Sequence, residues 1–142
     1  MPRSQTVSTN DIRDPLTHRI IGCAIRVHRT LGPGLLESVY EDHLHDELEA
    51  SQLSFVRQPR LPPEYEGRQL RRRLRPDFLV DGRVVVEVKA VSGSPPIFQT
   101  QLLTYLKLSG IELGLIINFH RKRLIEGVQR IILTREVPKA NS

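Results

Sequence analysis

Hydrophobic residues recur at helical spacing in three stretches of the chain and crowd into short extended runs between them. The first stretch opens at Asp14-Pro15, a capping carboxylate followed by a proline suited to the first helical position. Leu16, Ile20, Cys23, Ala24, Val27 and Leu31 then share one stripe, with Arg19, Arg26 and Arg29 lying off it. Gly32-Pro33-Gly34 stops this helix and turns the chain. A second helix is predicted from about Leu35 to Ala50, where Leu36, Tyr40, Leu44 and Leu48 recur at four-residue spacing. A third spans about 96–109, with Ser94 as cap, Pro95 at its first position and Gly110 at its end. Phe98, Leu102, Leu103 and Leu106 supply its packing surface.

The extended runs differ in character. Residues 53–60 contain Pro59, which demotes them to an edge strand, and Pro62-Pro63 and Glu66-Gly67 mark turns. Gln69 to Arg75 is a strand candidate with Arg71, Arg73 and Arg75 on one face. Residues 77–80 and 84–90 read as two short apolar strands joined at Asp81-Gly82. Leu113 to Phe119 is a continuous apolar run, expected as a buried strand, and 124–134 as a last strand. Residues 1–13 read as a flexible polar leader and 135–142 as a polar tail, leaving one domain over 14–134. Helix, helix, three or four strands, helix, strand, strand is the order of an α/β fold with a mixed central sheet flanked by helices.

Composition narrows the picture without deciding it. A chain of 142 residues suffices for one core, and no run approaches the ~20 apolar residues of a membrane helix. The N-terminus lacks the apolar core of a signal peptide, so a cytoplasmic protein is expected. The single cysteine excludes an internal disulfide, and Cys23 falls in the first helix's apolar stripe as inert core. His18, His28, His43, His45 and His120 show no convincing zinc spacing. The net charge is +5, and 17 of the 21 basic residues are arginine. That balance favours polyanionic partners, because arginine forks match phosphate; an arginine-rich proteome would produce it too.

The chemistry sits on the apolar strands. Charges within Val84-Val85-Val86-Glu87-Val88-Lys89 are costly to bury unless they pair or hold an ion. Glu87 and Lys89 are two apart and share a strand face. Asp77 joins that face if the hairpin loop has an odd number of residues, or if a bulge falls near Pro76-Asp77. A three-residue loop, Val80-Asp81-Gly82, is therefore expected, with Gly82 left-handed and Asp77 diagonal to Glu87. In the second helix Glu37 projects between Leu44 and Leu48, inside the stripe. It is either a site residue or a helix-terminus carboxylate favoured by the dipole. Gln101 and Tyr105 lie four apart on one face of the third helix. Asp77, Glu87 and the Val88 carbonyl suit a hard divalent ion such as Mg²⁺ or Mn²⁺, and Lys89 suits water positioning or charge stabilisation in phosphodiester hydrolysis. Arg71, Arg73 and Arg75 would either grip a nucleic-acid backbone or form a solvated strand face.

Pro76-Asp77 followed after ten positions by Glu87-Val88-Lys89 resembles the PD-(D/E)xK nuclease signature. Gln101-Leu-Leu-Thr-Tyr105 resembles the QxxxY helix motif of the RecB-like branch, and Gly34-Leu-Leu-Glu37-Ser-Val-Tyr40 matches the stretch that names the GxxExxY protein family. The likeness covers about residues 12–133. It implies an αβββαβ core and an Mg²⁺-type site to which Glu37 is the extra acidic contributor from a helix. The expected function is a Mg²⁺-dependent nuclease acting on DNA. A small domain without a specificity module suits a homodimer or a protein partner. The rival is a non-catalytic module that binds nucleic acid or a partner on a retained nuclease fold. A glycosidase-like carboxylate pair fits less well, since the chain has no Trp for sugar stacking and Lys89 would keep Glu87 ionised.

Overall fold

Asp14 caps the first helix, its Oδ1 accepting from the Leu16 N–H at 2.9 Å. α1 (Pro15–Leu31) ends at Gly32, whose φ of 70° lies in the region where glycine is at ease. The computed structural model describes residues 2–8, 14–70 and 74–135. α2 (Glu37–Ala50) packs on α1, and Cys23 is fully buried between them beside the Ser51 hydroxyl at 3.3 Å. The link between these helices is held by Tyr40, whose hydroxyl donates to the Gly32 carbonyl and accepts from the Leu35 N–H at 3.1 Å. The Tyr40 ring stacks on Phe119, with centroids 4.6 Å apart.

The strands are β1 (Pro2–Ser8), β2 (Phe55–Arg57), β3 (Glu64–Tyr65), β4 (Arg68–Gln69), β5 (Phe78–Val80), β6 (Val84–Lys89), β7 (Leu113–Asn118) and β8 (Val128–Arg135). Six form one sheet in the order β1-β8-β7-β6-β5-β2, while β3 and β4 make a separate hairpin. β6 and β7 run parallel, joined through α3 (Pro96–Ser109), and the other pairs are antiparallel. The α/β class and mixed sheet are as expected. Val84, Val86 and Val88 face the α1–α2 layer with Phe78 and Val80. Val85 faces α3 with Leu102, Tyr105 and Leu106. Strand periodicity thus sends Glu87 and Lys89 to the α3 side. α3 lies close to β7: a Cβ on Gly114 would stand 2.8 Å from Leu102 Cδ2.

Several local expectations change. Pro2–Ser8, expected as leader, form an edge strand on β8, since backbone ladder bonds do not require an apolar side-chain pattern. Of the arginine-bearing strand expected over 69–75, Gln69 lies in β4 while Leu70 and Leu74 to Pro76 are irregular, the latter as suits a segment running into a proline. Arg71 and Arg73 lie outside the described residues. Ser94 does not cap α3. Pro95 takes the cap position, and the Ser94 hydroxyl accepts from Arg121 at 3.0 Å. The last strand begins at Val128, after a 3₁₀ turn over Leu124–Gly127.

Candidate functional site

The site lies where β5 parts from β6. Val80 pairs with Val84, Leu79 with Val85 and Phe78 with Val86. The loop has three residues, as expected, but they are Asp81-Gly82-Arg83, one position further on. Asp81 and Gly82 both take positive φ (53° and 64°), and the Arg83 N–H closes the turn on the Val80 carbonyl at 3.0 Å. This register sets Asp77 directly across from Glu87 rather than diagonal to it. At that level side chains take over the ladder. The Asp77 N–H reaches both the Val86 carbonyl (3.1 Å) and Glu87 Oε1 (3.2 Å), and the Val88 N–H donates to Asp77 Oδ2 at 2.6 Å. A strand residue directs its N–H and C=O to the same edge, so the Val88 carbonyl faces the side where Asp77 sits.

Asp77 and Glu87 line a cavity of about 260 Å³. Asp77, Glu87 and Lys89 form its sheet side, Gln101 and Tyr105 come from α3, Arg75 and Pro76 from the approach to β5, and Glu37 from the start of α2. Glu87 and Lys89 keep only 13% and 15% of their side-chain surface, and Lys89 Nζ stands 3.5 Å from Glu87 Oε2. The same ammonium lies over the Phe98 ring, 4.5 Å from its centroid. Negative charge therefore outweighs positive in a poorly solvated space. Burial pushes Asp77 up to about 8, against the pull of the Val88 N–H and reinforced by Glu87, Glu41 and Glu37. Burial also raises Glu87, with Lys89 pulling it back, and raises Glu37 at the cavity rim, again opposed by Lys89. Burial raises the Tyr105 phenol, which stays a proton donor.

The family profile of the PD-(D/E)XK nuclease superfamily matches residues 14–131, a span holding every residue of the cavity. The chain belongs to this superfamily. The letters of its name occur here as Pro76-Asp77 and Glu87-Val88-Lys89, on the two strands that part at the cavity. No curated protein and no solved structure matches the chain.

For this superfamily member, Glu37, Asp77, Glu87, Lys89, Gln101, Tyr105 and Arg75 come together as a set. Sequence reasoning passed over Glu41 and Arg57. Glu41 is buried one turn after Glu37 and meets Arg57 Nε at 3.1 Å. Arg57, on β2, also holds Asp42 at 2.6 Å. The available signal was the spacing Glu37, Glu41, Leu44, Leu48, which puts a second carboxylate in the apolar stripe. A further group, His45, Asp46 and Glu49, has ligand atoms within 4.8 Å of one another on α2. His45 is already engaged there, by Glu49 at 3.5 Å and by the edge of Phe55 with centroids 5.0 Å apart. No helix among the described residues is long and apolar enough to cross a membrane.

Proposed function

We propose that this protein is a Mg²⁺- or Mn²⁺-dependent nuclease that hydrolyses phosphodiester bonds, with DNA as its substrate. The observation that carries the reading is the Asp77–Glu87 pair, two largely buried carboxylates lining one cavity, with Lys89 Nζ 3.5 Å from Glu87 Oε2. The donor set fits a hard divalent cation. Asp77, Glu87 and the Val88 carbonyl would hold it, with Glu37 contributing from the rim, and an ion there would offset the burial and the neighbouring carboxylates that push the Asp77 carboxyl up. A bound ion would lower the pKa of the attacking water and neutralise charge growing on the phosphate.

The remaining work belongs to the chain. Lys89, held by Glu87 and Phe98, aims an ammonium at the reacting phosphate and adds charge stabilisation in a space where water screens little. Gln101 and the protonated Tyr105 hydroxyl offer neutral donors from α3 for positioning the phosphate or the water. This is the role we give to the QxxxY pattern, and with it we assign the chain to the RecB-like, GxxExxY group. In that group's namesake stretch Tyr40 braces the loop and Glu37 faces the cavity. Arg75, with Arg71 and Arg73, would lead the phosphate backbone toward the site. A cytoplasmic setting suits the single, buried cysteine, and a homodimer or protein partner would supply the specificity a domain of this size lacks.

The test is cleavage of single- and double-stranded DNA and RNA with Mg²⁺, Mn²⁺ or a chelator. Lys89→Ala should abolish turnover while Mn²⁺ still binds; Asp77→Asn should lose both. Each removes a contribution on the order of 3 kcal/mol to the barrier. Should the wild type cleave none of these substrates, or the Lys89 variant cleave as well as wild type, the fold serves as a binding module instead.

A further inference from the structure

A second cavity of about 150 Å³ adjoins the first, and Leu74 and Arg75 line both. Its floor is apolar. Leu61 and Leu74 belong to the hydrophobic layer beneath α3, so their positions are fixed by the core. Pro62, Pro63 and Leu70 form the walls, drawn together by a hydrogen bond from the Leu70 N–H to the Pro63 carbonyl at 2.8 Å. That bond closes the base of the β3–β4 hairpin, which makes the groove part of a folded arm. Arg60 and Arg75 stand exposed at its mouth, and among the described residues neither is paired with a carboxylate.

We propose that this groove is the subsite for one unpaired nucleotide next to the scissile phosphate, so that the substrate is single-stranded at that position. The assignment rests on the nuclease reading of the neighbouring cavity. A lining of leucine and proline side chains suits the face of any base, and two arginines suit the phosphates on either side of it. Arg75 sits at the seam of the two cavities, where the phosphate linking adjacent nucleotides must lie. A base within a duplex shows only its edge and reaches such a groove only after leaving its stack, an unfavourable step that a single strand avoids.

The experiment uses fluorescence anisotropy in EDTA with labelled single-stranded DNA, the matching duplex, and an abasic strand that keeps the phosphates and lacks the bases. Wild-type protein should bind the normal strand several-fold more tightly than the abasic strand, roughly three- to tenfold for one base on an apolar platform, and more tightly than the duplex. Arg60→Ala should weaken both strands alike and lower the slope of log affinity against log salt by about 1. Equal affinity for normal and abasic strands, or a preference for duplex, overturns the proposal and leaves the groove to a protein segment. The comparison of strands needs no variant, so a poorly folded Arg60→Ala does not blunt it. Cleavage by the same protein in Mg²⁺ separates the two readings. Turnover with no base dependence keeps the nuclease and removes the subsite; base-dependent binding without turnover does the reverse.

Discussion

Asp77→Asn should stabilise the metal-free protein above about pH 6 even as it destroys the site. Asp77 titrates near 3.8 in an unfolded chain and is pushed up to about 8 when folded, first by burial and then by Glu87, Glu41 and Glu37. Between those values the folded state binds a proton that the unfolded state has released. Unfolding stability therefore falls as pH rises across that window, reaching its lowest level once the folded carboxyl ionises. A shift of this size corresponds to an upper limit of roughly 5–6 kcal/mol. Water entering the open cavity and rearrangement of the carboxylates reduce it, and we expect about 1–3 kcal/mol at pH 8. Asparagine keeps the shape and the acceptor for the Val88 N–H and removes the charge. For a domain of this length, 1 kcal/mol moves the melting temperature by roughly 3–4 °C.

The assay is thermal unfolding of both proteins in a chelator from pH 3.5 to 9, followed by titration with Mn²⁺. The variant should melt with wild type at the acid end, below about pH 4, and several degrees above it at pH 8. Mn²⁺ should then raise the wild-type melting temperature as binding to the folded state demands, and raise the variant's little. Melting curves that coincide across the pH range, or a variant less stable than wild type at pH 8, would refute the argument that uncompensated charge at Asp77 opposes the fold.

Tyr40→Phe removes a hydroxyl that joins the Gly32 carbonyl to the Leu35 N–H. It should cost about 1–2 kcal/mol in urea unfolding and, by loosening the approach to Glu37, lower turnover more than Mn²⁺ affinity. Unchanged unfolding would show that the α1–α2 link holds without it. Gly114→Ala drives a methyl into Leu102, which is itself buried, and should destabilise by about 1–3 kcal/mol. Because Leu102 shares α3 with Tyr105, turnover should fall as well; an unaffected protein would mean that α3 can slide over β7.

What could be read from the sequence was whatever obeys a local period. Glu87 and Lys89 share a face because strands alternate, and the need for Asp77 to join them correctly implied an odd loop. The register itself was out of reach. It depends on two successive positive-φ residues, one of them Asp81, whose N–H is fixed at 2.7 Å by the carbonyl of Ser54, just before β2. β1 escaped for a related reason: its ladder is made by the backbone, and Pro-Arg-Ser-Gln-Thr-Val-Ser shows little alternation to betray it. Glu37 stood out because its phase in the helix was wrong for a surface carboxylate. Glu41 shares that phase and was missed because its partner, Arg57, is brought to it by an edge strand.

That pairing bears on how the charge is distributed. Four carboxylates act on this region, Glu37 and Glu41 from α2 and Asp77 and Glu87 from the strands, and among the described residues two cations answer them at contact distance. Arg57 is committed to Glu41 and Asp42, and Lys89 lies against Glu87. Among the described residues Asp77 receives backbone N–H donation from Val88, and burial pushes its carboxyl up to about 8. The deficit thus falls on the residue that stands where β5 and β6 separate, where the ladder no longer constrains its second oxygen. An ion bound there would offset the burial and repulsion that the folded chain otherwise bears through protonation. Metal affinity and the pH dependence of stability are therefore two readings of the same interaction, and a substitution that flattens one should flatten the other.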